Sequence, residues 1–330
     1  MNATPSSAVA ATPSPTTPRG SFRFEEAWAK LPEGWAIGDV GGVAIDRGDN
    51  VYVFNRGAHP MLVFDRAGNF VRSWGEGVFR TPHAVDFAAD GYLYCTDDGD
   101  HTVRKCTPDG RVVLQLGEAG RPAPFMSGRP FNRCTHTALA PDGSIFVTDG
   151  GNGAVHKYAP DGRHLFSFGS CGSDPGQFYV PHNICCDADG FLYVADRENH
   201  RIQVFDANGR CEAQWNNLVR PMALHLVKTP CGNRFYVGEA GPSFGVNFPN
   251  LGPRLSILNE HGRLLARFGD EGFGHASDRF LAPHGVAVDG SGDVYVGEVA
   301  NAAWPIVFRG QDKPADLRTL RKLKWTEHNA

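Results

Sequence analysis

VPHNICCDADGFLYVADRENHRIQVF, residues 180–205, holds one alternating apolar run, an Asp189-Gly190 pair, a second run LYVAD and a third, RIQVF. Alternation on both sides of an Asp-Gly step is a hairpin signal. The continuation to CEAQW at 211–215 adds a fourth strand-like segment, so the stretch predicts four short antiparallel strands in sequence. The same pattern recurs along the chain. GGVAIDRGDNVYVFNRG (41–57), HAVDFAADGYLYCTDDG (83–99), HTALAPDGSIFVTDGG (136–151) and HGVAVDGSGDVYVGEVA (284–300) align with HNICCDADGFLYVADRE (182–198), and MALHLVKTPCGNRFYVGEA (222–240) is a weaker copy. Six units start at 41, 83, 136, 182, 222 and 284, a mean spacing of about 49 residues, which suits propeller blades. The fold class expected is all-β, a six-bladed β-propeller with four antiparallel strands per blade.

The ends of the chain complete the expectation. Residues 22–28 precede the first unit and can supply a closing strand to the last blade, leaving no open sheet edge. PADLRTLRKLKW, with Pro314 at a helix start and leucines at 317, 320 and 323, reads as a short basic C-terminal helix. The organisation is therefore a disordered Ala/Thr/Ser/Pro-rich tail over 1–20, a propeller over 21–310 and a helix or tail over 311–330.

With 330 residues and 41% hydrophobic content the chain can bury a sizeable core. Forty glycines and 23 prolines at turn-like intervals agree with many short elements. A net charge of -4, with no long basic run, gives no reason to expect nucleic acid. No apolar run approaches the roughly 20 residues that cross a bilayer, so no membrane partner is expected. Eight scattered cysteines without a secretory leader point to a reduced, cytoplasmic protein. Nothing in the sequence sets the oligomeric state.

The first positions of the six units hold Gly41, His83, His136, His182, Met222 and His284, four of the chain's 13 histidines. The first strand of each blade lines the central channel, so these side chains are expected to form a ring. Singly, each histidine would more often bond neighbouring backbone. As a ring, neutral imidazoles suit a borderline divalent cation, Zn²⁺ first, with Fe²⁺ or another transition metal also served by the same donors. Asp97, Asp196 and Glu298 follow His83, His182 and His284 by fourteen residues, and Asp149 follows His136 by thirteen. Such carboxylates can accept the second ring N–H of a ligating histidine. Asn55 and Glu239 occupy the same place in units without a histidine, so a role in the blade itself is an equal alternative.

VPHNICCDADGFLYVADRENHRIQVF, TPHAVDFAADGYLYCTD, APHGVAVDGSGDVYVGE and GGVAIDRGDNVYVFNRG together resemble an NHL-repeat propeller, and more narrowly the catalytic core of peptidyl-α-hydroxyglycine α-amidating lyase. The resemblance implies a channel zinc held by His83, His182 and His284, each within a Pro-His pair, and a substrate-binding arginine pair at Arg56 and Arg197. It also implies a structural calcium and a tyrosine base, in a reaction that splits a carbinolamide into amide and glyoxylate. Here the sequence departs. The tyrosine falls on Gly151, a methionine beside the last ligand on Ala282, and the acidic calcium ligand on Gly285, which puts Ca²⁺ in doubt although Val43 and Val85 could offer carbonyls. His136 stands where the family has no ligand.

Three functions follow as expectations. The first is a metal-dependent lyase on a small polar carbinol, hydroxy or hydrated-carbonyl substrate, with Tyr179, His59 or His101 as substitute base. The second is a metal-dependent hydrolase, hydratase or four-His Fe(II) enzyme with His136 as fourth ligand. The third is a non-catalytic interaction propeller, against which the buried imidazoles argue.

Overall fold

Most units become blades because a tight glycine turn reverses the chain where the sheet needs it, at Asp90-Gly91, Asp142-Gly143, Asp189-Gly190 and Ser291-Gly292. In the computed structural model, Gly91, Gly143, Gly190 and Gly292 all have φ between 84° and 87°, a region that costs glycine little. The structure describes residues 20–25, 27–242, 251–269, 272–276 and 278–327. The tail expected over 1–20, apart from Gly20, and residues 243–250, between the second and third strands of blade 5, lie outside the described residues.

Six four-stranded antiparallel sheets follow one another around the channel. Blades 1 to 5 are each continuous in sequence, covering 40–74, 82–116, 134–168, 181–215 and 221–268. Blade 6 is composite: Pro283–Val288 is innermost, then Val294–Glu298, Leu320–Glu327 and finally the N-terminal strand Gly20–Glu25. Phe22 stands opposite Trp325 in this last pair, so the expected closing strand is present and joins the two ends of the chain. Apolar side chains between blades make the core; Tyr52, Phe54 and Met61 of blade 1, for example, pack on Val85 and Cys95 of blade 2.

The expected helix over 314–325 is a correction. Leu320–Glu327 is a strand, and the helix, α1, lies earlier at Ala300–Val307. The reason is the company the segment keeps. Arg321 and Lys322 are buried and paired with Glu298 and Asp293. Sheet neighbours on both sides, Val294–Glu298 and Gly20–Glu25, override the local 3–4 spacing of leucines.

One irregularity positions the site. Every inner strand slips register at its second residue: Pro82 faces Asp97, but Ala84 faces Thr96, and the same step occurs in all six blades. The residues left without a partner are Gly41, His83, Thr135, His182, Met222 and His284. A bulge of this kind re-aims the side chain it carries.

Candidate metal centre

His83, His182 and His284 belong to blades 2, 4 and 6, so the bulges present them at every second blade. Their ligand atoms lie within 4.8 Å of one another. Ring centroids are 4.6 to 4.8 Å apart in all three pairs. The alternate blades hold them. Nδ1–H of His83 donates to the Thr135 carbonyl (2.6 Å), His182 to Met222 (2.7 Å) and His284 to Gly41 (2.7 Å), each acceptor being the bulge residue of the next blade. With Nδ1 committed, each Nε2 carries a lone pair and has no protein partner among the described residues. Burial pushes all three imidazoles well below their ordinary pKa, helped in His83 by Arg56, in His182 by His284 and in His284 by His83. Three neutral, oriented nitrogen donors around one point fit a borderline divalent cation such as zinc, with positions left open to water or substrate. Gly41 is required where it stands: a Cβ there would lie 2.5 Å from the Pro82 carbonyl oxygen.

His136 does not join them. The unpaired bulge residue of blade 3 is Thr135, and His136 sits one residue further along, opposite Thr148, with its Nδ1 2.9 Å from the Ile184 carbonyl. It lines a small cavity of about 80 Å³ together with Asn183, His225 and His284, but it stands outside the cluster of ligand atoms formed by His83, His182 and His284. The four-histidine ring is thus a three-histidine one. The thirteen-residue spacing to Asp149, against fourteen elsewhere, was the visible sign of this slip.

The carboxylates also do something other than orient imidazoles, since backbone carbonyls already take those ring N–H groups. Asp97 accepts from the backbone N–H of Thr81, Gly99 and Asp100. Asp149 accepts from Asn132 N–H and the Asn152 amide and lies 3.1 Å from His156 Nε2. Asp196 accepts from Tyr179 N–H, Asn199 and Arg201, and Glu298 from Leu281 and Ala282 N–H and Arg321. Asn55 and Glu239 do the same work in blades 1 and 5. The position serves the blade, tying the entering loop to the end of the second strand.

Arg56 and Arg197 occupy one equivalent place, the residue after the second strand, in blades 1 and 4, which face each other across the channel. Arg56 Nε donates to the Pro82 carbonyl beside His83 (3.0 Å), and Arg197 Nε to Glu198 (2.7 Å), which also holds Arg220 (2.8 Å). Burial lowers the pKa of both guanidinium groups, which stay charged, and both act on His83 and His284. Their Nη atoms have no partner among the described residues. Two anchored cations with free donors above three unpaired nitrogens make a site for an anion.

The substitute bases fare differently. Tyr179 is 60% exposed, with its backbone N–H on Asp196. His59 stacks on Trp35 at 3.4 Å and bonds Glu76, and His101 Nδ1 accepts the Arg133 N–H. None has a ring contact or hydrogen bond with the three imidazoles among the described residues. Glu198, which sequence reasoning passed over, is the residue that fixes Arg197. Its signal was its charge: it follows Arg197 directly, where the matching place in the other blades holds Gly57, Gly99, Gly151, Gly241 and Ala300.

Two further expectations meet backbone. At Gly151 a Cβ would stand 2.4 Å from both oxygens of Asn132, at the end of the segment that joins blades 2 and 3. Gly151→Tyr is therefore expected to lower stability by about 2–4 kcal/mol, read by thermal unfolding, without placing a phenol in the channel. At Gly285 a Cβ would stand 2.8 Å from Gly42 Cα, so the acidic calcium ligand does not fit here.

An NHL-repeat family model matches residues 178–205. The human NHL repeat-containing protein 3 is 33% identical over 66% of this chain and 67% of its own length. The chain belongs to the NHL-repeat family. This NHL-repeat propeller is also 30% identical to peptidyl-glycine alpha-amidating monooxygenase B of Xenopus laevis, over 87% of the chain but only 35% of that protein, so it spans about a third of that relative. Peptidyl-alpha-hydroxyglycine alpha-amidating lyase 1 of Drosophila melanogaster is 28% identical over 90% of the chain and 62% of its own length.

Proposed function

We propose that this NHL-repeat propeller is a metal-dependent, lyase-like enzyme acting on a small carbinol, hydroxy or hydrated-carbonyl compound that carries an anionic group. The observation that carries the reading is the pairing of three neutral, partnerless Nε2 atoms with two anchored guanidinium groups. Similarity to proteins named as amidating lyases and monooxygenases supports it. His83, His182 and His284 would hold the cation. A divalent transition metal so held supplies Lewis acidity, lowering the pKa of a hydroxyl group or water.

The remaining work falls to the chain. The carbonyls of Thr135, Met222 and Gly41 keep the imidazoles aimed and neutral. Arg56 and Arg197 bind and orient the anionic group through their Nη atoms, and the burial of both strengthens those bonds by excluding water. Gly151 offers no proton acceptor, and Asn132 fills the space where one would stand, so peptidyl-α-hydroxyglycines are disfavoured as substrates. All eight cysteines are free thiols, and no helix among the described residues is long and apolar enough to cross a membrane. We place the activity in the cytoplasm.

The test is a turnover screen of metal-loaded protein on 2-hydroxy acids, hydrated carbonyl compounds and peptidyl-α-hydroxyglycines. Expected are metal-dependent turnover in one of the first two groups and little glyoxylate from the third. Efficient glyoxylate release would overturn the substrate assignment. A protein bound across the channel face, with no turnover anywhere, would replace the enzyme by an interaction propeller.

A further inference from the structure

A cavity of about 510 Å³ opens beside Arg56, between the 34–39 loop, the 56–59 turn of blade 1, Asn301 of α1 and Lys313. This is the size of a small-molecule site. Arg56 links it to the candidate metal centre, because Arg56 is one of its lining residues while Arg56 Nε is fixed on the carbonyl of Pro82, the residue before His83. Trp35 and His59, stacked 9° from parallel, line it as well.

The charges in this cavity are not balanced. Asp39 contributes its only carboxylate, but both oxygens are taken: Oδ1 by Asn301 N–H and side-chain amide, Oδ2 by Ala302 N–H, at the first turn of α1. Lys313 donates to the neutral Asn301 Oδ1 at 2.7 Å and has no ion pair among the described residues. Arg56 lies within reach of the Asp98 and Asp39 charges, but its Nη atoms have no hydrogen-bond partner among the described residues. Two cationic residues, Arg56 and Lys313, thus line the cavity beside an aromatic stack. Such an arrangement answers an acid group.

We infer that this cavity is the outer half of the substrate site, and that the substrate is a hydroxy acid bearing a second acidic group, which Lys313 meets while the hydroxyl lies toward the three imidazoles. The inference rests on the function proposed above and narrows it to a dianionic substrate class. Lys313 is then a specificity-determining residue, remote from the reacting atoms.

The experiment is calorimetric titration of the zinc-loaded full chain with two probes, glycolate and 2-hydroxyglutarate, repeated on Lys313→Gln and Lys313→Glu. An exposed lysine meeting one carboxylate is worth up to about fivefold in affinity. The wild type is expected to bind 2-hydroxyglutarate about fivefold more tightly than glycolate. Lys313→Gln should erase that preference, Lys313→Glu should reverse it, and glycolate affinity should be unchanged in both. Lys313 is exposed, so neither variant endangers folding. Glycolate binding with no preference for the diacid, or a preference that survives Lys313→Gln, would overturn the outer site alone. Binding of neither acid would remove the proposed function and the outer site together.

Discussion

His182→Ala protein purified without added metal is expected to carry none, where the wild type carries about one divalent transition metal per chain, as a single three-imidazole site holds. Elemental analysis of the two preparations measures this directly. The three donors come from blades 2, 4 and 6, and no other His, Cys, Asp or Glu among the described residues joins the cluster. Removing one leaves two nitrogens that cannot close a site. Loss of an orienting neighbour alone typically costs about 10–100-fold in metal affinity, and loss of a ligand costs more. His136→Ala is the informative control. Because His136 bonds Ile184 and stands outside the three-histidine cluster, its removal should leave metal content unchanged. Stoichiometric metal in a protein with alanine at 83, 182 and 284 would refute the centre, and metal lost from His136→Ala would return that residue to the ligand set.

The six repeat units, the hairpins and the closing N-terminal strand were legible because each is encoded locally, by alternation and by Asp-Gly turns. The three clustered histidines were legible too, since each stands in a Pro-His pair at the same place in its unit. What misled was a single residue of register. His136 aligns with the other histidines if unit 3 is read as one residue shorter, but the sheet keeps the fourteen-residue count and so gives the bulge to Thr135. The C-terminal strand failed for another reason. Leu320–Glu327 has helical spacing taken alone, and only the distant partners Val294–Glu298 and Gly20–Glu25 make it a strand. The acceptors of the three Nδ1–H bonds could not be read from residue type at all, because they are backbone carbonyls of Thr135, Met222 and Gly41, residues that share no side-chain chemistry.

Asp196→Ala is expected to destabilise the protein by about 3–5 kcal/mol while leaving the metal in place. The carboxylate is fully buried and holds four groups at once: Tyr179 N–H at 2.8 Å, Asn199 at 2.8 Å, Arg201 at 2.8 Å and Gln203 at 3.2 Å. Truncation strands the Arg201 charge, itself only 6% exposed, and leaves the Tyr179 N–H and two amides short of an acceptor. An uncompensated buried charge is the expensive part, and it dominates the lost hydrogen bonds. For a chain of this size the penalty corresponds to a fall in Tm of about 10 °C. Asp196 nevertheless has no hydrogen bond with His182 among the described residues, since the His182 Nδ1–H goes to Met222. Metal per folded chain in Asp196→Ala should therefore match the wild type, in contrast to His182→Ala. Two measurements on one variant separate the roles: a Tm within about 2 °C of wild type would deny the blade role, and loss of metal from the folded protein would restore the carboxylate to the histidine.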